Sequence, residues 1–104
     1  MSVITDANHK EYQRAINMLN GGTKEWAYDI ETTGLNVRKD EIIGFGISNG
    51  LKGFYFCHQY YEDGKMKQAL SREECLVILR LLKNKKLRCF LFFLYNILIH
   101  INKL

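Results

Sequence analysis

Proline is absent from all 104 residues. No Pro-rich linker marks a boundary, and the length suits one domain or less. Cysteine is sparse and odd in number: Cys57, Cys75 and Cys89 form no Cys-x-x-Cys pair. That spacing supports neither a disulfide framework nor a zinc knuckle, and reduced thiols in a cytoplasmic compartment are the simplest reading. The first residues lack the basic segment and apolar run of a secretory signal. There is no internal repeat and no low-complexity tract. Acidic residues stop after Glu74. What remains is ordinary for a globular protein, 47% hydrophobic and 25% charged. The net charge of +4 favours polyanions without establishing nucleic-acid binding.

One stretch stands out, Trp26-Ala27-Tyr28-Asp29-Ile30-Glu31-Thr32-Thr33-Gly34-Leu35. It reads as a strand running into a polar turn closed by glycine. In a strand, residues i and i+2 share a face. Asp29 and Glu31 are thus expected side by side, with Trp26, Tyr28 and Ile30 on the other face. Two adjacent carboxylates repel, and a divalent cation relieves that repulsion. A solvated strand end with two acidic residues is the reading the pair alone leaves open.

The rest of the chain frames this strand. Tyr12, Ala15, Ile16 and Leu19 have helical spacing, which predicts a helix over Asn8–Leu19. Asn8 is the expected cap, with Glu11 reaching back, and Gly21-Gly22 the stop. Strands are expected at Lys24–Ile30, Glu41–Ser48 and Gly53–Cys57. Ser48-Asn49-Gly50 is the turn signal between the last two. Gly44 and Gly46 in the second strand suggest a bend or a close approach by another element. His58–Gln68 reads as a polar, aromatic loop. Ser71 and Glu74 form a capping box at the start of a second helix, with Cys75, Ile78, Leu79 and Leu82 as its apolar face. Lys83, Lys85 and Lys86 suit the negative end of its dipole. Leu87–Tyr95 has the character of a buried strand, and the apolar run then continues almost to the last residue. That run is short for a membrane span, which needs about 20 predominantly apolar residues. No membrane partner is expected.

The order helix, strand with Asp-x-Glu, three-stranded antiparallel meander, helix, further strand resembles the first part of an α/β, ribonuclease H-like fold. Tyr28-Asp29-Ile30-Glu31-Thr32-Thr33-Gly34-Leu35 resembles the first motif of the DEDD superfamily of 3′–5′ exonucleases. The strand Ile42-Ile43-Gly44-Phe45-Gly46-Ile47-Ser48, followed by Gly53-Phe54-Tyr55-Phe56, is similar to the proofreading domain of family A DNA polymerases. The resemblance covers roughly residues 8–86. It implies hydrolysis of the 3′ end of single-stranded DNA by two Mg2+ or Mn2+ ions held by four carboxylates. Asp29 and Glu31 would be the first two ligands and catalytic residues. Thr32 would meet the 3′ end of the terminal nucleotide, and Leu35 would press on its base or plug the turn. A polymerase module in the intact gene would be a natural partner.

The departures limit this expectation. The family's second motif is Asn-x-x-x-Asp. Asn96 stands where its asparagine is expected, but four residues later the chain has His100. An imidazole is a poor magnesium ligand, so His100 is either a substituted ligand or an accident of the tail. His9 and His58 are read as unrelated to chemistry. The third motif, Tyr-x-x-x-Asp, is missing. The polypeptide is therefore expected to be a nearly inactive part of an exonuclease domain, residues 1–86, with an apolar tail, 87–104. A non-catalytic nucleic-acid-binding or interaction remnant is the alternative, with Tyr60 and Tyr61 as stacking surfaces. A truncation or frameshift near Lys86 would account for both the composition break and the lost aspartate. If so, one downstream frame encodes Asn-x-x-x-Asp and then Tyr-x-x-x-Asp. Sequencing that finds neither in any of the three frames rejects the frameshift.

Overall fold

The computed structural model describes residues 1–22, 25–33, 41–83 and 85–88, with 86–88 described by backbone alone. The elements in chain order are β1 (Ser2–Ile4), α1 (Lys10–Leu19), β2 (Glu25–Thr32), β3 (Ile42–Ser48) and β4 (Gly53–Cys57). They are followed by β5 (Gln59–Glu62), β6 (Lys65–Gln68), α2 (Arg72–Leu82) and β7 (Lys86–Arg88). Five strands form a mixed sheet in the order β1-β4-β3-β2-β7, and β5-β6 form a separate hairpin. The described residues thus form a mixed α/β fold with two helices. The expected loop at Asn36–Asp40, Gly34, Leu35, Asn96, His100 and the rest of the apolar tail lie outside the described residues.

The meander forms where aromatic and polar residues alternate. Trp26 and Tyr28 on β2, Phe45 and Ile47 on β3, and Phe54 and Phe56 on β4 all point into one core. Phe45 pairs with Phe56 across the strands, and their rings stack at 5.1 Å. Each such fully buried ring contributes roughly 3 kcal/mol of transfer free energy. Both helices pack on this side. Tyr12, Ala15 and Leu19 of α1 meet Cys75, Ile78, Leu79 and Leu82 of α2 in the same cluster. The Tyr12 hydroxyl donates to the Glu74 carbonyl at 2.7 Å, tying the two helices together. The Ser71–Glu74 capping box is present in both directions.

Several elements differ from the sequence expectation. α1 is capped by His9, whose Nδ1 accepts from the Glu11 amide at 3.1 Å. The Asn8 amide instead donates to Asp6 Oδ1. Glu11 does not reach back because its carboxylate is engaged elsewhere: it accepts from Ser2 Oγ at 2.9 Å and meets Lys52 Nζ at 3.1 Å. That bond secures β1, a three-residue strand too short to be seen as a pattern. β1 runs parallel to β4 at the edge of the sheet. The His58–Gln68 segment is a hairpin rather than a loop. Asp63 and Gly64 both have positive φ, 54° and 74°, which suits the tight turn that favours Asp-Gly. Its strands are mostly exposed, so no apolar alternation announces them. His58 serves structure, its ring Nδ1 lying 2.7 Å from the Leu70 carbonyl.

The hydrogen bonds from Lys52 and Ser2 draw the Glu11 pKa down from its ordinary 4.5 to about 2. The folded state favours the carboxylate, so the unfolded chain binds more protons over that interval. Glu11 thus stabilises the fold fully above about pH 4.5, and the gain is lost as pH falls toward 2. Chemical denaturation at several pH values should show this acid-side slope, and Glu11→Gln should flatten it.

Candidate functional site

β2 carries the candidate carboxylates. Its burial alternates as the sequence predicts: Trp26 and Tyr28 are buried, Ile30 is half-buried, and Ala27, Asp29 and Glu31 are exposed. Asp29 and Glu31 therefore share the sheet face opposite the helices, roughly 6.5–7 Å apart along the strand by its rise. Across β2 they stand in register with Gly46 and Gly44 of β3. The neighbours are thus two residues without side chains, and the carboxylates border an open hollow. It has a volume of about 320 Å³, and its lining includes Met1, Ala27, Asp29, Gly46, Ser48 and Tyr55.

Tyr55 comes from β4, opposite Gly46. Its neighbours Phe54 and Phe56 point into the core, so alternation sends Tyr55 to the carboxylate face. The ring reaches across β3, and its hydroxyl donates to Glu31 Oε2 at 3.0 Å. Two strand spacings, about 9–10 Å, are bridged in this way. Gly44 lies beneath the ring. A Cβ there would collide with the Tyr55 hydroxyl and stand only 2.7 Å from the Phe56 carbonyl. The close approach anticipated at the glycines is thus made by an aromatic side chain. Burial first, and then the bond to Glu31, push the Tyr55 hydroxyl well above the usual phenol range. It stays protonated and remains a donor at neutral pH.

Thr32 follows Glu31 on β2, half-buried and on the helix-side register. A bulge interrupts the β2–β3 pairing there, because Glu31 pairs with Gly44 while Thr32 pairs with Ile42. The backbone beyond is held by Thr33, whose amide donates to the Glu41 carbonyl at 2.9 Å and whose Oγ1 accepts from the Glu41 amide at 3.0 Å. Leu35 lies outside the described residues. The structure therefore brings Asp29 and Glu31 to one face and leaves Thr32 adjacent to Glu31 along the backbone, on the opposite register.

As a donor set, Asp29 and Glu31 offer hard oxygens of the kind Mg2+ and Mn2+ prefer. No group of three or more His, Cys, Asp or Glu side chains that would hold a metal occurs among the described residues. The face offers two carboxylates, against the four that the resemblance implies. Tyr55 is the residue that sequence reasoning missed. Its signal was a lone hydroxyl-bearing residue between two phenylalanines, on a strand beside Gly-x-Gly.

Gly44→Ala should overpack this face, at a cost of about 1–3 kcal/mol. Urea denaturation measures it, and a loss below about 0.5 kcal/mol, the size of an ordinary surface substitution, would contradict the packing described. No protein-family model matches the chain, and no curated protein matches it, so any functional reading rests on these residues themselves.

Proposed function

We propose that the chain is part of a 3′–5′ exonuclease domain of the ribonuclease H-like, family A proofreading type, directed at the 3′ end of single-stranded DNA. The observation that carries this is the Asp29–Glu31 pair on the accessible face of β2. The setting supports it: β2 opens an antiparallel meander, and β7 returns parallel to it after α2. Asp29 and Glu31 would hold Mg2+ or Mn2+, two ligands of the four that a complete site of this type uses. Such an ion supplies Lewis-acid stabilisation of charge on the scissile phosphate and lowers the pKa of water. Glu31 would serve both the metal and the attacking water. The Thr32 backbone meets the 3′ end, and Leu35 is assigned to the terminal base. A polymerase module and a cytoplasmic setting belong to the same proposal.

A second reading draws on the β5–β6 hairpin. Tyr60 and Tyr61 are exposed there, and Tyr60 pairs with Lys67 across the strands. Aromatic and basic side chains together bind single strands by stacking and charge. This reading makes the chain a nucleic-acid-binding module without chemistry. Among the described residues no helix is long and apolar enough to cross a membrane.

With two of four carboxylates, the polypeptide should release almost no nucleotide from a 3′-labelled single strand in Mg2+. It should still bind a 3′-hydroxyl oligonucleotide more tightly with Mn2+ than with chelator, and Asp29→Ala should erase that gain. Binding that ignores chelator and Asp29→Ala, yet falls steeply with salt, favours the hairpin module and rejects the exonuclease reading.

A further inference from the structure

We propose that Tyr55 is a positioning residue for the carboxylate pair: its hydroxyl holds Glu31 Oε2 and so presents Oε1, together with Asp29, to a divalent cation. The proposal rests on the metal-dependent reading of this face. It adds a residue from a strand that the Asp-x-Glu motif does not include.

The geometry is built rather than incidental. Tyr55 stands two strands away from Glu31, and the space its ring crosses is kept clear by Gly44. Glycine inside a strand weakens it, since it loses more backbone freedom and has no side chain to pack. The hydrogen bond gained lies at an exposed carboxylate, where water competes for both partners. Packing of the half-buried ring over Gly44 accounts for where Tyr55 lies, but not for its hydroxyl ending on Glu31. Orientation of the carboxylate does. A free glutamate samples several rotamers, and fixing it on binding costs free energy each time. A side chain already tethered through one oxygen has lost much of that freedom, and the other oxygen stays available. Metal-ligating side chains are commonly oriented by such outer hydrogen bonds, whose removal weakens metal binding about 10–100-fold.

The test is Mn2+ affinity, read from the paramagnetic relaxation of solvent water, for the full chain and for Asp29→Ala, Tyr55→Phe, Glu31→Gln and the Glu31→Gln/Tyr55→Phe double variant. Thermal unfolding is followed alongside. Tyr55→Phe should weaken Mn2+ about tenfold while leaving the unfolding midpoint close to that of the parent. In the Glu31→Gln background it should have no further effect, because Tyr55 acts through that carboxylate. Unchanged affinity in Tyr55→Phe, with Asp29→Ala still abolishing binding, overturns the role of Tyr55 and leaves the metal reading intact. An additional loss in the Glu31→Gln background also overturns it. Binding by the parent that is indifferent to Asp29→Ala removes the metal reading and this proposal together.

Discussion

The stacked pair Phe45–Phe56 fixes the register between β3 and β4, and much else depends on that register. A slip of one residue would turn every side chain of β3 to the other face. Phe45 and Ile47 would leave the core, and Gly44 and Gly46 would enter it as gaps. In the observed register the glycines lie on the far face, level with Glu31 and Asp29. The same contact that secures the core therefore keeps β3 side chains off the floor beside the carboxylates, and the Tyr55 ring crosses that floor to Glu31.

The two faces of the sheet carry different burdens. The helix side holds the aromatic core, the Tyr12–Glu74 bond between helices and the doubly bonded cap of α2. Glu11, at the rim, joins β1, α1 and the turn carrying Lys52. The far face has few apolar contacts to lose among the described residues. Both carboxylates are exposed, so changes at Asp29 or Glu31 should cost the fold little.

Much of this was legible because local and global signals agree. Period-two alternation gave the faces of β2, and helical spacing gave Tyr12, Ala15 and Leu19 as the buried side of α1. The Ser71–Glu74 box sits where its residue types require. β1 was not legible, because three residues make no pattern and its placement depends on Ser2 meeting Glu11. The β5–β6 hairpin was missed because its side chains are mostly exposed and only Asp63-Gly64 betrays it. At the site, Asp29 and Glu31 could be paired because their relation is local. Tyr55 could not, since its reach to Glu31 spans strands 24 residues apart in sequence.

Gly44 is held to glycine by its neighbours, the Tyr55 ring and the Phe56 carbonyl, not by its own φ. Its requirement is therefore conditional in part. While Tyr55 lies across it, any side chain at 44 collides with the ring. With a small residue at 55 the ring no longer clashes, but a Cβ would still stand 2.7 Å from the Phe56 carbonyl, so the backbone would also have to shift. The two sites are coupled in their tolerance, and the order of change matters: the tyrosine must shrink, and β3 and β4 must ease apart, before the glycine can grow. A lineage that took that path would keep its core and both carboxylates while Glu31 lost its tether. Such a chain would look intact in sequence at the Asp-x-Glu stretch and yet present that pair in a different way.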